Sequence, residues 1–425
     1  MKRNFAFIFA LLLVCQWNIQ VFSADYKFYF NDQAARKGYT HITEKSIYGN
    51  GEPYGYDLNT TQNGKDAFFF SVDLPEGNYK VKLTLGSKNA ETVTTVKSES
   101  RRLMLQNIRT PKGKFITREI SVNIRNTRIG ANDSVRIKTR EIGKLNWDNK
   151  LSLEINGKNP SLARLEITPA EAIPTIFLAG NSTVVDQDNE PWCGWGQMLP
   201  RFMNSKIAIA NYAESGEAGN TFIRSKRFGK LLHEMKKGDY LFIEFGHNDM
   251  KQKGENAGAF KSYKQSLVYM IEETRKKGGT PILVTPMHRR RFDDNGKIIN
   301  TLEDYPDAVR KTGKEYSVMV IDLNALSKVL YEAWGPDESI KAFVHYPKGT
   351  FPGQTSDLAD NTHFNSFGGN QICKCILKGL IENKSPLRKY IVKDFKGFDP
   401  AKPDKFSDFV LSPTPFSSIE KPDGN

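Results

Sequence analysis

Four residue types that work together in acyl-transfer chemistry stand at suggestive places in this chain: a serine, a histidine, an aspartate and an asparagine. Ser182 follows the apolar run Ile176-Phe177-Leu178-Ala179 and the dipeptide Gly180-Asn181. A buried run bounded by turn residues reads as a strand of a parallel sheet, and reactive groups sit just past the carboxyl ends of such strands. A serine hydroxyl is a poor nucleophile until a base takes its proton. His363 is the candidate base, because imidazole titrates near neutrality. A carboxylate on its other ring nitrogen would hold the required tautomer. Asp360, three residues earlier, reaches that nitrogen within one turn of loop, and Asp357 competes for the same role. A serine after a strand also serves as a helix N-cap, so Ser182 taken alone is open to that reading.

Other chemistries lack their residues. No His-Glu-x-x-His and no Cys/His cluster with zinc spacing occurs, so no metal site is expected. Gly-x-Ser-x-Gly is missing, as are dinucleotide and phosphate-loop fingerprints. Met287-His288-Arg289-Arg290-Arg291-Phe292 follows an apolar run at Ile282 to Thr285. Three arginines on that edge could fork onto sugar carboxylates, or form a solvated basic loop. Trp192 and Trp195 could stack on sugar rings or pack beneath the serine.

The elements that must position these residues change character along the chain. From Tyr26 to about Thr168, short runs alternate with period two, clearest in Tyr79-Lys80-Val81-Lys82-Leu83-Thr84-Leu85, with turn clusters between them. Short, evenly spaced strands predict a β-sandwich over 25–168. Pro169 to Pro174 reads as a linker. Beyond it strands and helices alternate: helices are expected at Trp192 to Asn204, Phe222 to Met235, Ala259 to Lys277, Ala308 to Glu315, Asn324 to Ala333 and Ser366 to Glu382. That grammar predicts an α/β domain over 174–385, a parallel sheet with helices on both faces. Residues 386–425 form a C-terminal extension rich in Pro, Asp, Lys and Phe, expected to drape over a domain surface or to be partly disordered.

The 425 residues carry 61 basic and 48 acidic side chains, a net charge of +13. Such a balance favours anionic partners. Solvated lysines give the same balance. Of the anionic partners, nucleic acid is one candidate, without zinc-finger spacing, an RNA-binding signature or an arginine-rich tail, and an acidic polysaccharide is another. Residues 1–24 read as a secretory signal: Lys2 and Arg3, an apolar core from Phe5 to Val14, and small residues before a cleavage point near Ala24. A secreted or periplasmic chain with no integral membrane segment after cleavage follows. Cys193, Cys373 and Cys375 then remain; an odd number fits buried thiols better than a disulfide framework.

The order Ser182, Gly216, Asn248, Asp360/His363 resembles the SGNH (GDSL-type) hydrolase superfamily over roughly Ile173 to Glu382. Gly180-Asn181-Ser182-Thr183-Val184, Gly194-Trp195-Gly196-Gln197 and Gly246-His247-Asn248-Asp249 are similar to the rhamnogalacturonan acetylesterase version of its blocks. The resemblance implies a flavodoxin-like three-layer α/β/α fold, a Ser182-His363-Asp360 triad with no cofactor, and deacetylation of a pectic polysaccharide. It also implies an oxyanion hole from the backbone N–H of Ser182, that of Gly216 and the side chain of Asn248, with Gly219 as an alternative donor. His247 is expected to support its loop. Where the family often has Gly-Arg-Ser, this chain has Gly216-Glu217-Ala218. The N-terminal layout resembles jelly-roll, carbohydrate-binding-like modules. Alternative readings are an acetylesterase of another glycan such as xylan, a lipid esterase, or a non-catalytic glycan-binding protein.

Overall fold

Alternation inside the serine strand, Thr175–Gly180, divides the second half of the molecule into layers. Ile176 and Leu178 enter a core with Trp195, Ile372, Ile376 and Leu380, while Phe177 and Ala179 enter a second core with Phe228, Leu231, Leu267 and Ile271. Side chains on a strand point alternately to opposite faces, so a run buried throughout must be covered on both. The helices Leu323–Glu338 and Ser366–Glu382 cover one face; Arg227–Glu234, Lys264–Lys276 and Tyr305–Glu315 cover the other. Five parallel strands run in the order Ala208–Asn211, Thr175–Gly180, Tyr240–Glu244, Thr280–Val284, Met319–Ile321. In chain order that is 2-1-3-4-5, the flavodoxin-like arrangement, whose ligand crevice opens where the strand order reverses. The three strands at that point are the ones followed by Ser182, Gly216 and Asn248.

The computed structural model describes residues 25–30 and 35–415. The leader expected over residues 1–24 lies outside them. Among the described residues no helix is long and apolar enough to cross a membrane.

The N-terminal part is built from two five-stranded sheets. One runs Thr40–Ile42, Tyr26–Phe30, Leu162–Pro169, Gly77–Leu85, Ile116–Ile124; its pairs are antiparallel except the first. The other runs Tyr54–Asp57, Phe68–Asp73, Lys150–Lys158, Thr92–Ser98, Arg102–Thr110 and is antiparallel throughout. Their apolar faces meet in one core, where Phe28 and Phe30 of the first sheet pack edge-on against Phe70 of the second. The outer face of the second sheet is polar yet covered. Lys97 and Glu154 pair at 3.0 Å with 2 % of each side chain exposed, and the C-terminal segment lies over them. Lys97 donates to Ser412 O and Thr414 Oγ1, Thr414 donates to Glu154, and Asn156 donates to Pro413 O. A buried ion pair keeps its charges only if the remaining lone pairs and protons are also satisfied, and this segment does so.

Several expected elements differ in extent. The helix expected from Phe222 to Met235 is two, Gly219–Arg224 and Arg227–Glu234, because Lys226 between them has φ +64. The helix expected from Trp192 is a single turn, Trp195–Met198, followed by a 3₁₀ turn at Leu199–Phe202 containing Pro200. A proline inside a helix removes a donor and clashes with the preceding turn. Gly196 lets this turn sit against the serine loop: a Cβ there would lie 2.3 Å from Val184 O. Cys193, Cys373 and Cys375 are free and buried.

Candidate active site

Ser182 sits two residues past its strand, in a turn closed by Val184 N donating to Asn181 O at 3.0 Å. The side chain that caps this turn belongs to Asn181, whose Oδ1 accepts from Thr183 N at 3.0 Å. The capping task expected of a serine here therefore falls on its neighbour, and the Ser182 hydroxyl points elsewhere. It meets His363 Nε2 at 2.7 Å. His363 Nδ1 lies 2.8 Å from Asp360 Oδ2. Ser182 and His363 are 4 % and 2 % exposed.

The Asp360–His363 segment is held by a strand pair where a loop was expected. Strand Leu358–Phe364 runs antiparallel to Phe343–Tyr346, and its register jumps: Val344 faces Asp360 while Phe343 faces Phe364. The three residues between, Asn361 to His363, bulge out of the ladder. A bulge re-aims side chains, and this one brings the imidazole to the serine. Within the bulge Asp360 Oδ1 accepts from the backbone N–H groups of Thr362 and His363 at 2.9 and 3.0 Å. Burial alone would raise the Asp360 carboxyl, but the hydrogen bond and charge of His363, with the two amides, outweigh it and bring it to about 2. Asp357, the competing carboxylate, accepts from Lys348 N instead.

Asn248 and Gly216 lie on neighbouring loops. The Asn248 amide donates to Glu217 O at 3.1 Å, and Gly216 has φ +79, a conformation in which a Cβ would be strained. The N–H of Gly219, the alternative donor, is taken by Asp249 Oδ1 at 2.9 Å; Asp249 Oδ2 accepts from Gly246 N at 2.9 Å. One carboxylate thus ties the second and third blocks together. Burial raises it to about 6 against these bonds. His247 is buried, and desolvation holds its imidazole well below the usual value, which suits a supporting role.

The remaining sequence candidates fall in different settings. Arg289 donates to Thr301 O and His247 O, and Arg290 to Ser339 Oγ, Asn361 Oδ1 and Pro336 O, so both guanidinium groups staple loops together. Arg291 is exposed. Trp192 is 1 % exposed and its carbonyl accepts from Arg101, so its ring is enclosed and offers no open face for stacking.

A group that the sequence reading passed over lies beneath Ser182. Glu244, fully buried at the end of strand Tyr240–Glu244, accepts from Trp195 Nε1 at 2.5 Å and lies 3.0 Å from Thr183 Oγ1. Thr183 Oγ1 also lies 2.8 Å from Asn181 Oδ1. A hydroxyl has one proton and two acceptor sites. If Thr183 donates to Asn181, Glu244 satisfies it only by donating, that is, as the neutral acid. Burial pushes Glu244 up to about 8, against the two hydrogen bonds that lower it. Its signal in the sequence was a lone acid closing an otherwise apolar strand. A carboxyl whose folded value lies above its ordinary 4.5 adds stability that is complete below that value and is lost as pH rises through the folded one. Glu244→Gln, a neutral isostere, should melt with the wild type at about pH 5 and above it at about pH 8.5. Parallel melting curves across that range would mean an ionised Glu244.

Residues 178–368 match the GDSL-like lipase/acylhydrolase family. The chain is 39 % identical over 219 residues to the rhamnogalacturonan acetylesterase RhgT of Bacillus subtilis, covering 51 % of this chain and 94 % of that one. It is 33 % identical over 222 residues to the probable rhamnogalacturonan acetylesterase YesY of the same organism, covering 52 % and 98 %. A longer match, 26 % identical over 383 residues and covering 81 % of this chain and 92 % of the other, is to the uncharacterized esterase YxiM of B. subtilis. The chain belongs to the GDSL-like lipase/acylhydrolase family, and it is a carboxylic ester hydrolase.

Proposed function

We propose that this esterase is exported and removes acetyl groups from a pectic polysaccharide, rhamnogalacturonan foremost, through an acetyl-serine on Ser182. The observation that carries the reading is the unbroken run Ser182 Oγ, His363 Nε2, His363 Nδ1, Asp360 Oδ2, with contacts of 2.7 and 2.8 Å. Ser182 Oγ attacks the acetyl carbonyl carbon while His363 Nε2 takes the hydroxyl proton. Asp360 stabilises the imidazolium through Nδ1–H. The tetrahedral intermediate collapses, its bond to the sugar oxygen breaks, and His363 returns the proton to that oxygen. Water then repeats the sequence against the acetyl-serine: His363 takes its proton, acetate leaves, and Ser182 recovers its hydroxyl.

The negative oxygen of each intermediate needs donors. We assign these to the backbone N–H groups of Ser182 and Gly216 and to the Asn248 amide. Support comes from the engagement of Gly219 N–H by Asp249 and from the second N–H of Asn248, which the Glu217 bond leaves over. Asn248→Ala should lower kcat by about 10²–10³ with a smaller change in KM, as for a donor used mainly in the transition state. A change confined to KM would make Asn248 a ground-state sugar contact instead.

The acetyl and pectic parts of the reading draw on the names of the two relatives and on the net charge of +13. Residues 174–385 are the proposed catalytic domain and residues 25–168 a separate, carbohydrate-binding-like one. Acetate release from a panel of acetylated polysaccharides tests the substrate: rhamnogalacturonan should be fastest, and a faster xylan would reassign it. Its rate should also fall as salt rises, because exposed charge pairs are screened within about 8 Å at physiological ionic strength. Turnover of 4-nitrophenyl acetate, which has no carboxylate, should stay flat. Arg291, the exposed member of its cluster, is the one whose change to glutamine should reproduce the salt effect. A polysaccharide rate indifferent to both would remove the anionic-substrate argument.

A further inference from the structure

The N-terminal sheets touch the two loops that surround Ser182. The turn between strands Thr92–Ser98 and Arg102–Thr110 reaches the loop after the serine. Arg101 donates to Gln187 O and Trp192 O, Arg102 Nε donates to Asp186 at 2.6 Å, and Ser100 Oγ donates to Asp188. Gln187 in turn donates to Ser182 O at 2.8 Å. A second segment, around the 3₁₀ turn Thr139–Glu141, reaches the loop that carries Gly216. Lys138 Nζ donates to Ser215 O at 2.5 Å and lies 3.8 Å from the Glu217 carboxylate, and Arg140 pairs with Glu214. Glu214, Ser215 and Glu217 bracket Gly216 and are all buried.

We infer that Lys138 is a positioning residue for the oxyanion hole, supplied by the N-terminal region, with Arg140 bracing the same loop. The inference rests on the assignment of Gly216 N–H as an oxyanion donor. Ser215 C=O and Gly216 N–H belong to one planar trans peptide unit and point in opposite directions. A cation on the carbonyl oxygen therefore fixes where the N–H points and polarises it as a donor. The unit needs fixing. Gly216 has no Cβ and φ +79, so rotation of this peptide meets little steric resistance. A half-turn of it would aim a carbonyl oxygen, in place of a donor, at the developing negative charge. Lys138 opposes that turn, since it would lose its acceptor. The N-terminal region is on this account a working part of the esterase site as well as any binding module it forms.

The test uses the full-length chain with 4-nitrophenyl acetate. Lys138→Met should lower kcat about tenfold or more, short of the loss from removing a donor outright, while KM stays near wild type. Lys138→Arg, which keeps a donor cation, should recover most of the rate. The fraction of Ser182 titrated by a serine-directed phosphonate should be complete in all three proteins, so the change is not one of unfolded enzyme. Asn248→Ala is the reference. If it slows turnover and Lys138→Met does not, the positioning role is overturned and the oxyanion site stands. If neither slows turnover, the oxyanion assignment itself fails. Equal loss in Lys138→Met and Lys138→Arg, matched by an equal loss of titratable serine, would make Lys138 a folding residue only.

Discussion

Ser182→Ala should remove nearly all turnover and leave the fold unchanged. The substitution deletes one oxygen from a side chain that is 4 % exposed. The turn that carries it is held by Asn181, through Thr183 N and Val184 N, and none of those bonds uses the Ser182 hydroxyl. Residual activity should be what the oxyanion donors and substrate binding supply without a nucleophile, about 10³–10⁴ above the reaction in water. Hydrolysis of 4-nitrophenyl acetate and of the acetylated polysaccharide measures the loss, and the melting temperature checks the fold. A fluorophosphonate should label the wild type at the peptide containing Ser182. Substantial turnover in the variant, or label on another serine, would sink the assignment.

His363→Ala should be about as damaging, because nucleophile and base act as one unit; the double variant Ser182→Ala/His363→Ala should lose little beyond either single one. Asp360→Asn should be a lesser but large defect, about 10⁴ in kcat for the comparable change in a serine protease triad. The reason is tautomeric. Asp360 Oδ2 accepts from Nδ1–H and leaves Nε2 bare toward Ser182 at 2.7 Å. An asparagine whose N–H₂ faced Nδ1 would drive the proton to Nε2, where it blocks the base. The carboxylate should not contribute an acid limb to the pH–rate profile above about pH 4, because it is held at about 2. Its contribution to stability is present above its ordinary value of 3.8 and is lost only as pH falls through the folded one. Wild-type rates in Asp360→Asn would take the carboxylate out of the mechanism, since Asp357 is engaged with Lys348 N.

Much of the architecture was legible in the order of residues because burial imposes a local rhythm. The run Ile176 to Ala179, apolar at every position, could only be a strand covered on two sides, and the two cores divide it as alternation requires. Period two in Tyr79 to Leu85 likewise marked a sheet with one dry face: Tyr79, Val81, Leu83 and Leu85 all enter the core. Element ends were less legible. Lys226 adopts a left-handed conformation that a lysine does not announce, and it splits one expected helix into two. The strands Tyr26–Phe30, Thr92–Ser98 and Arg102–Thr110 were not singled out. Thr92–Ser98 is buried on both faces by polar as well as apolar side chains, because the C-terminal segment covers its outer side; pattern alone cannot supply such a cover.

The site divides along the same line. Residue type marked out Ser182, His363, Asp360 and Asn248, because few side chains perform those tasks. Type could not say whether the Ser182 side chain caps its turn; that depended on Asn181 taking the cap. It could not tell Asp360 from Asp357, which a three-residue register jump decides. Nor could it reveal Glu244, Asp249 or Lys138, whose chemistry comes from what lies against them: a tryptophan and a threonine, two backbone amides, the carbonyl of Ser215. The arginines at 289 and 290 could be read as sugar-carboxylate ligands or as a solvated basic loop, and their contacts with acceptors of neighbouring loops appear only in the fold. Periodicity and side-chain chemistry are written locally, within a few residues. A contact such as Ser182 to His363, between residues 181 positions apart, exists only once the sheet order and the bulge have brought two distant segments to the same edge.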